Sequence, residues 1–239
     1  DGLIGVALFF AVAIGITFVL LLWFTHCVKS TLAVLITTLV AVIWQLALLH
    51  TLGFGLDPYS MLVPFLVFAI GISHGVQKIN GIAMASGEAT DALSAARMAF
   101  RQLFIPGLVA LLSDAVGFVT LLLIDIGVIR ELAIGASMGV AVIILTNLIL
   151  LPVVISYIGI GKRAVKKSRE EAAKDHPVWR AISNCAHPMV APISVVVAVV
   201  ALAGGVWYGQ NLKIGDLDQG APELHPDSRY NLDNDFVIR

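Results

Sequence analysis

The sequence predicts an all-α membrane protein: a polytopic bundle of six transmembrane helices, followed by the start of an extracytoplasmic α+β domain. Three observations predict it. Of the 239 residues, 59% are hydrophobic and only 13% are charged, about half the charged share of a water-soluble domain. The mean hydropathy is +0.94. The apolar residues also gather into six runs, each near the ~20 residues that a helix needs to cross the hydrocarbon of a bilayer.

The runs are Leu3–Phe24, Thr31–Leu52, Tyr59–Ile79, Leu103–Ile124, Leu132–Ile158 and Met189–Tyr208. The first begins almost at Asp1, with no basic stretch or cleavage site before it, as expected where more polypeptide precedes the segment. The fifth is long and holds Pro152, where a helix is expected to kink or end. Basic residues set the orientation. Lys29 follows the first run, Lys78, Arg97 and Arg101 flank the connection after the third, and seven more lie between Lys162 and Arg180. Eleven of the 15 Lys and Arg thus fall on one side, which is expected to be cytoplasmic. The other four, Arg130, Lys213, Arg229 and Arg239, share the opposite side with both termini.

The expected domain division is a five-helix bundle over 1–160, a basic cytoplasmic linker over 161–188, the sixth span over 189–208 and a truncated extracytoplasmic segment over 209–239. Within the polar connection Asn80–Gln102, residues 88–101 have Ala92, Leu93, Ala96 and Phe100 at helical spacing, with Arg97 and Arg101 between them. This pattern suits a helix lying on the inner membrane surface, or a plain helical linker. The basic stretch Lys162–Arg180 suits either contact with anionic lipid or a simple orientation anchor. In the tail, Leu212-Lys213-Ile214 alternates like a strand start, and Phe236-Val237-Ile238 reads as the beginning of another element. Cys27 and Cys185 lie at helix ends on the side read as cytoplasmic. Their spacing fits no metal motif, and both read as inert thiols.

Ionisable groups inside spans are expensive, about 2.5–3.5 kcal/mol for an aspartate at a helix centre. They are therefore where function is expected. Asp114 sits near the centre of Leu103–Ile124, and its carboxyl must be protonated, paired or hydrated there. His74 lies in the inner half of Tyr59–Ile79, and an imidazole is suited to carrying a proton. The two fall on consecutive antiparallel helices, one or two turns apart in depth, so a direct or water-bridged pair is feasible. A purely structural role, as hydrogen-bonded groups between helices, is the alternative for each. Gly71 and Gly75, and Gly135 and Gly139, are spaced for close helix contact. Gln45, Ser113, Thr120 and Asn147 read as interhelical glue, while His26, His50, Asp57 and Glu131 fall near the interfaces. His187 is expected to cap the last span. The sequence contains no HExxH, P-loop or G-x-S-x-G pattern. No metal, cofactor or covalent chemistry is expected, and the chain reads as a non-enzyme.

Three stretches resemble the resistance–nodulation–division (RND) superfamily, in particular its MMPL-like exporters. Ala69-Ile70-Gly71-Ile72-Ser73-His74-Gly75 is similar to the family's fourth helix. Asp114-Ala115-Val116-Gly117-Phe118-Val119-Thr120-Leu121, then Ile129 to Gly135, ending at Leu150-Leu151-Pro152, is similar to its fifth and sixth. Gly220 to Asn231 resembles the start of its second periplasmic domain. The resemblance implies that the chain runs from family helix two to just past helix seven, with a sterol-sensing-like region in its first five spans. It implies proton-driven export of hydrophobic or lipid-like cargo across a bacterial inner membrane. Gly117 joins the packing glycines. The implied partners are the lipid bilayer, a hydrophobic or lipidic substrate and the remainder of the same polypeptide, with a homo-oligomer as one option and no nucleic acid. Where the family often has Gly-x-Asp-Tyr, Ser73 and His74 stand instead, and Asp114 stands on the next helix where the family commonly has Thr. Either the relay has moved to Ser73, His74 and Asp114, or this chain couples differently or not at all. A lipid- or sterol-sensing module that does not pump is the alternative function, and a scaffold whose polar groups only pack helices is a further one.

Overall fold

The computed structural model describes residues 2–55, 61–173, 177–212, 221 and 227–238. Six helices are long and apolar enough to cross a membrane: Gly5–Thr25, Val28–Thr51, Leu62–Ala85, Ala92–Leu123, Gly127–Ile158 and Ala191–Gly209. The chain is a multi-pass membrane protein. No strand occurs among the described residues. Two compact units divide it, Asp1–Ala173 and Lys174–Arg239.

The first unit opens with α1 (Gly2–Thr25) and α2 (Val28–Thr51), joined by only two residues. His26 takes a left-handed φ of 48° to make that turn, a conformation that is uncommon outside glycine. Helix α1 packs against α2 and α3. Its anchor is Phe10, whose ring meets Phe65 and Phe68 edge-on at 5.1 and 5.4 Å. Phe9, Val12, Ile16 and Trp23 remain exposed, a face that suits lipid rather than water.

Helix α3 (Leu62–Ala85) is longer than its apolar run and displaced from it. The expected start at Tyr59 lies outside the described residues, and the expected end at Ile79 is corrected to Ala85. Lys78, expected at the flank of the span, therefore lies about two turns inside the helix. The connection to α4 (Ala92–Thr120) shrinks to Ser86–Asp91. Asp91 starts α4 as its cap, its carboxylate accepting from Ser94 N–H at 3.1 Å. The expected helix on the inner surface is also corrected. Residues 92–101 are the first turns of the continuous 29-residue α4. Ala95, Ala96 and Ala99 are buried in the bundle, because small side chains let this part of α4 approach its neighbours closely.

The fifth span is continuous from Gly127 to Ile158 but is built of three pieces. These are α5 (Gly127–Ile143), a π-helical segment Ile144–Leu150 and α6 (Leu151–Ile158). Pro152 does not end the span. The widened π turn just before it supplies the local adjustment that a proline needs in a membrane helix. Gly159 then terminates α6 with φ 66°. Helices α2, α3 and α5 with its π segment form the packed centre, and α4 lies against α3, α5 and α6. Helix α7 (Lys162–Ala173) packs on α3 and buries Ala164. The boundary of the bundle consequently falls after Ala173, not after 160.

The second unit holds α8 (Pro177–Ser183), the membrane-length α9 (Ala191–Gly209) and α10 (Arg229–Ile238). His187 shapes the entry to α9. Its carbonyl accepts from Val190 and Ala191 N–H, and its Nδ1 accepts from Met189 N–H at 3.4 Å. The expected strand start at Lys213 and Ile214 lies outside the described residues. So do Gly220 and residues 222–226 of the family-like stretch. Phe236-Val237-Ile238 does not begin a new element; it closes α10. Cys27 is buried and Cys185 exposed, both as free thiols.

Candidate functional site

Most buried polar residues of the bundle lie on α2, with His74 and Lys78 on α3 and Thr146 and Asn147 in the π segment. Gly71 and Gly75 face α2. A Cβ on Gly71 would lie 2.7 Å from Thr38 Cγ2 and 2.8 Å from Asn147 Nδ2, and one on Gly75 would lie 2.7 Å from Val34 Cγ1. Gly139 of α5 meets Val67 and Gln45 in the same way, while a Cβ on Gly135 would make only ordinary contact with Leu49 at 3.4 Å and Val63 at 3.7 Å. These four glycines are where helices touch. Gly117 is not: an added Cβ there meets nothing within 4 Å, because it lies on the exposed side of α4.

Asn147, in the π segment, ties three helices together. Its Nδ2 donates to the Gly71 carbonyl at 3.0 Å, and its Oδ1 accepts from Thr37 Oγ1 at 3.0 Å. Thr38 Oγ1 is a longer partner at 3.4 Å. Asn147 and Thr37 thus act as interhelical glue, but the other expected members differ. Ser113 and Thr120 bond to carbonyls of their own helix, Val109 and Gly117. Gln45 is fully buried, and neither its Oε1 nor its Nε2 has a hydrogen-bond partner among the described residues.

His74 stands at the midpoint of α3 (Leu62–Ala85), deeper than the inner-half position its apolar run implies. It is 8% exposed, and its Nδ1 has no hydrogen-bond partner among the described residues. Asp114 and Lys78 are the charged groups within its electrostatic reach. Lys78, one turn further along α3, is 3% exposed. Its Nζ donates to the Leu103 carbonyl of α4, one residue past the Gln102 carbonyl that Pro106 leaves without its helical donor. Gly107 makes room for the ammonium, since a Cβ there would sit 3.1 Å from Nζ and 2.8 Å from Leu148 Cδ2. No carboxylate pairs with Lys78 among the described residues. A buried ammonium without a counter-charge is costly.

Asp114 lies seven residues beyond Gly107 on α4, which places it roughly one helical turn past the level of His74. It is exposed on the outer side of the bundle, and no hydrogen bond joins it to His74 among the described residues. Of the direct or water-bridged pair, the direct bond is thus not formed among the described residues. Ser73 is exposed too and points away from His74 by its helical position. It shares an outer stripe of α3 with Gln77 and Asn80, all three exposed.

Lys78 is the residue that the sequence reading misplaced. The signal was present: it follows His74 at i+4, the spacing of neighbours on one helix face. A charge at the edge of an apolar run nevertheless reads as its boundary. No group of His, Cys, Asp and Glu suited to a metal ion occurs among the described residues. No protein-family model matches the chain, and no curated protein matches it either.

Proposed function

We propose that this chain is the membrane core of a proton-motive-force-driven exporter of hydrophobic or amphipathic, lipid-like cargo. In this proposal it is of the RND type, in a bacterial inner membrane, with both ends of the chain on the periplasmic side. The observation that carries the proposal is the row of His74 and Lys78 on α3, with Asp114 beyond them on α4. An aspartate or lysine at a helix centre costs about 2.5–3.5 kcal/mol to insert, and close packing alone would be served as well by apolar side chains.

The three groups suit a proton-responsive switch. The free Nδ1 of His74 is a place for a proton. Loading it sets a second positive charge one turn from Lys78 and strengthens the attraction towards Asp114. The charge balance across the α3–α4 seam then changes, which biases how the two helices pack. The outward carboxyl of Asp114 needs cover, since a lone acid against hydrocarbon is expensive. A further membrane segment, from the remainder of the polypeptide or from a second copy, meets this need. Ser73, Gln77 and Asn80 would line the same seam, with Ser73 as a seam residue and not a partner of His74.

The test uses the full-length protein in proteoliposomes, with an NBD-labelled phospholipid as probe cargo, trapped pyranine to follow protons and an imposed pH gradient. Asp114→Asn and Lys78→Met should each slow gradient-driven movement at least ~100-fold, equivalent to about 2.7 kcal/mol of barrier, with membrane insertion unchanged. Full transport by both variants would sink the relay. Saturable lipid binding with no response to the gradient would favour a lipid-sensing module instead.

A further inference from the structure

At the basic end of the bundle, the turn between α3 and α4 faces α7 across a cleft of about 600 Å³. Lys162, Lys166 and Arg169 of α7 line one wall, and the hydroxyl residues Ser86 and Thr90 line the other. Two acids share the cleft, and both have partners. Asp91 accepts from Ser94 N–H as the cap of α4, and Glu170 lies 3.6 Å from Lys166. Lys162 has neither hydrogen bond nor ion pair among the described residues. The Arg169 guanidinium donates to the Gly87 carbonyl, and Gly87 lets it lie flat there, since an added Cβ would collide with it.

Arg169 also borders a second cleft, of about 470 Å³, where the apolar residues Met84, Ala85 and Met98 stand beside Gln102, Ser168 and a third acid, Glu88. Cationic and hydroxyl groups thus adjoin a slot with two thioethers in its wall, with one guanidinium shared between the two clefts. Both lie where α3 ends and α4 begins, at the level where a spanning helix leaves the hydrocarbon. Basic pockets among helix ends at this depth suit the phosphate of an anionic lipid, and flexible methionine side chains suit an acyl chain.

We infer that these two clefts form a binding site for an anionic phospholipid, the phosphate held by Lys162 and Arg169 and the first acyl carbons laid against Met84 and Met98. The shared chemistry is a phosphate ester, and the lipid is its source. The site is independent of the proton-relay proposal and stands if that fails. Lys166 is the third cation, released to the phosphate to the extent that Glu170 gives it up.

The test is native mass spectrometry and thermal melting of the full-length protein in detergent, with added phosphatidylglycerol, phosphatidylcholine or inorganic phosphate. Phosphatidylglycerol should be retained as a bound species and should raise the melting temperature saturably, while phosphatidylcholine should not. Lys162→Gln with Arg169→Gln should weaken retention at least tenfold. Arg163→Gln, on α7 but outside the cleft, should change it less than twofold. Lys162→Gln alone alters one exposed side chain, and it should still weaken retention at least threefold if the double variant fails to fold. Equal retention of the two lipids would overturn the site, as would an equal loss with Arg163→Gln, which marks diffuse surface attraction. Stabilisation by inorganic phosphate at the same concentration would overturn the lipid as the source.

Discussion

The two sides of α3 treat polar groups differently. Towards α2 and the π segment, Gly71 and Gly75 bring backbones close, and the carbonyl, hydroxyl and amide groups of Gly71, Thr37 and Asn147 satisfy one another. Elsewhere on its buried face, among the described residues, Lys78 meets one carbonyl of α4 and no carboxylate and the Nδ1 of His74 has no partner, while Asp114 of α4 faces outwards. Polar groups on the first side hold the bundle together. Those on the second are under-satisfied, which is costly unless chemistry uses them. Neither burial nor an unmet hydrogen bond is a guide to function by itself, since Gln45, on the packing side, is buried with both polar atoms unmet among the described residues.

The comparison can be broken at its glycines. Gly71→Leu would drive a side chain into Thr38 and Asn147 and should destabilise the bundle by about 3 kcal/mol, at the upper end of ordinary overpacking. Gly117→Leu meets open space and should shift stability by less than ~0.5 kcal/mol. Thermal unfolding in detergent reads both. A large loss at Gly117 would show that the outer face of α4 is as tightly packed as the inner face of α3.

A smaller effect is expected at the hydrogen-bonded hub. Asn147→Leu removes the donor to Gly71 and the acceptor for Thr37, and it should cost about 1–2 kcal/mol at the ordinary worth of interhelical bonds in membranes. Proton uptake should survive this change, measured with the same trapped dye, because Asn147 belongs to the packing side. Loss of uptake at undiminished stability would merge the two sides into one network.

The smallest effect concerns the start of α4. The hydrogen bonds from Ser94 hold the Asp91 carboxyl below its ordinary value of 3.8. A depressed value in the folded state means that the cap contributes fully above the ordinary carboxylate range and is lost as the pH falls through the lowered one. Hydrogen exchange at the Ser94 amide should therefore quicken at the acid end, beyond the intrinsic pH trend. Asp91→Asn should remove that extra acid dependence while keeping most of the cap.

Much of the architecture was legible from composition. A hydrocarbon layer demands runs of about 20 apolar residues with internally bonded backbones, and six such runs stand in the chain. Their ends were less legible. Lys78 looked like the flank of a span because hydropathy assigns a charge its cost without knowing its neighbours. In the fold, the Leu103 carbonyl and the space at Gly107 accommodate it. Residues 92–101 looked like a surface helix because their arginines alternate with apolar positions, yet Ala95, Ala96 and Ala99 pack into the bundle.

Of the candidate site, His74 and Asp114 were visible as ionisable residues inside apolar runs, and the four glycines Gly71, Gly75, Gly135 and Gly139 as small residues at contact spacing. Gly117 had the same look and a different fate, because spacing along one helix cannot say which side meets a neighbour. The sequence by itself determined the number of crossings and the helical character of each, since the solvent imposes these segment by segment. Only the tertiary structure decided which polar groups are satisfied and which are left bare. That depends on groups from different helices meeting in space, as Asn147 meets Gly71 and as Asp114, on the outer side of α4, fails to meet His74.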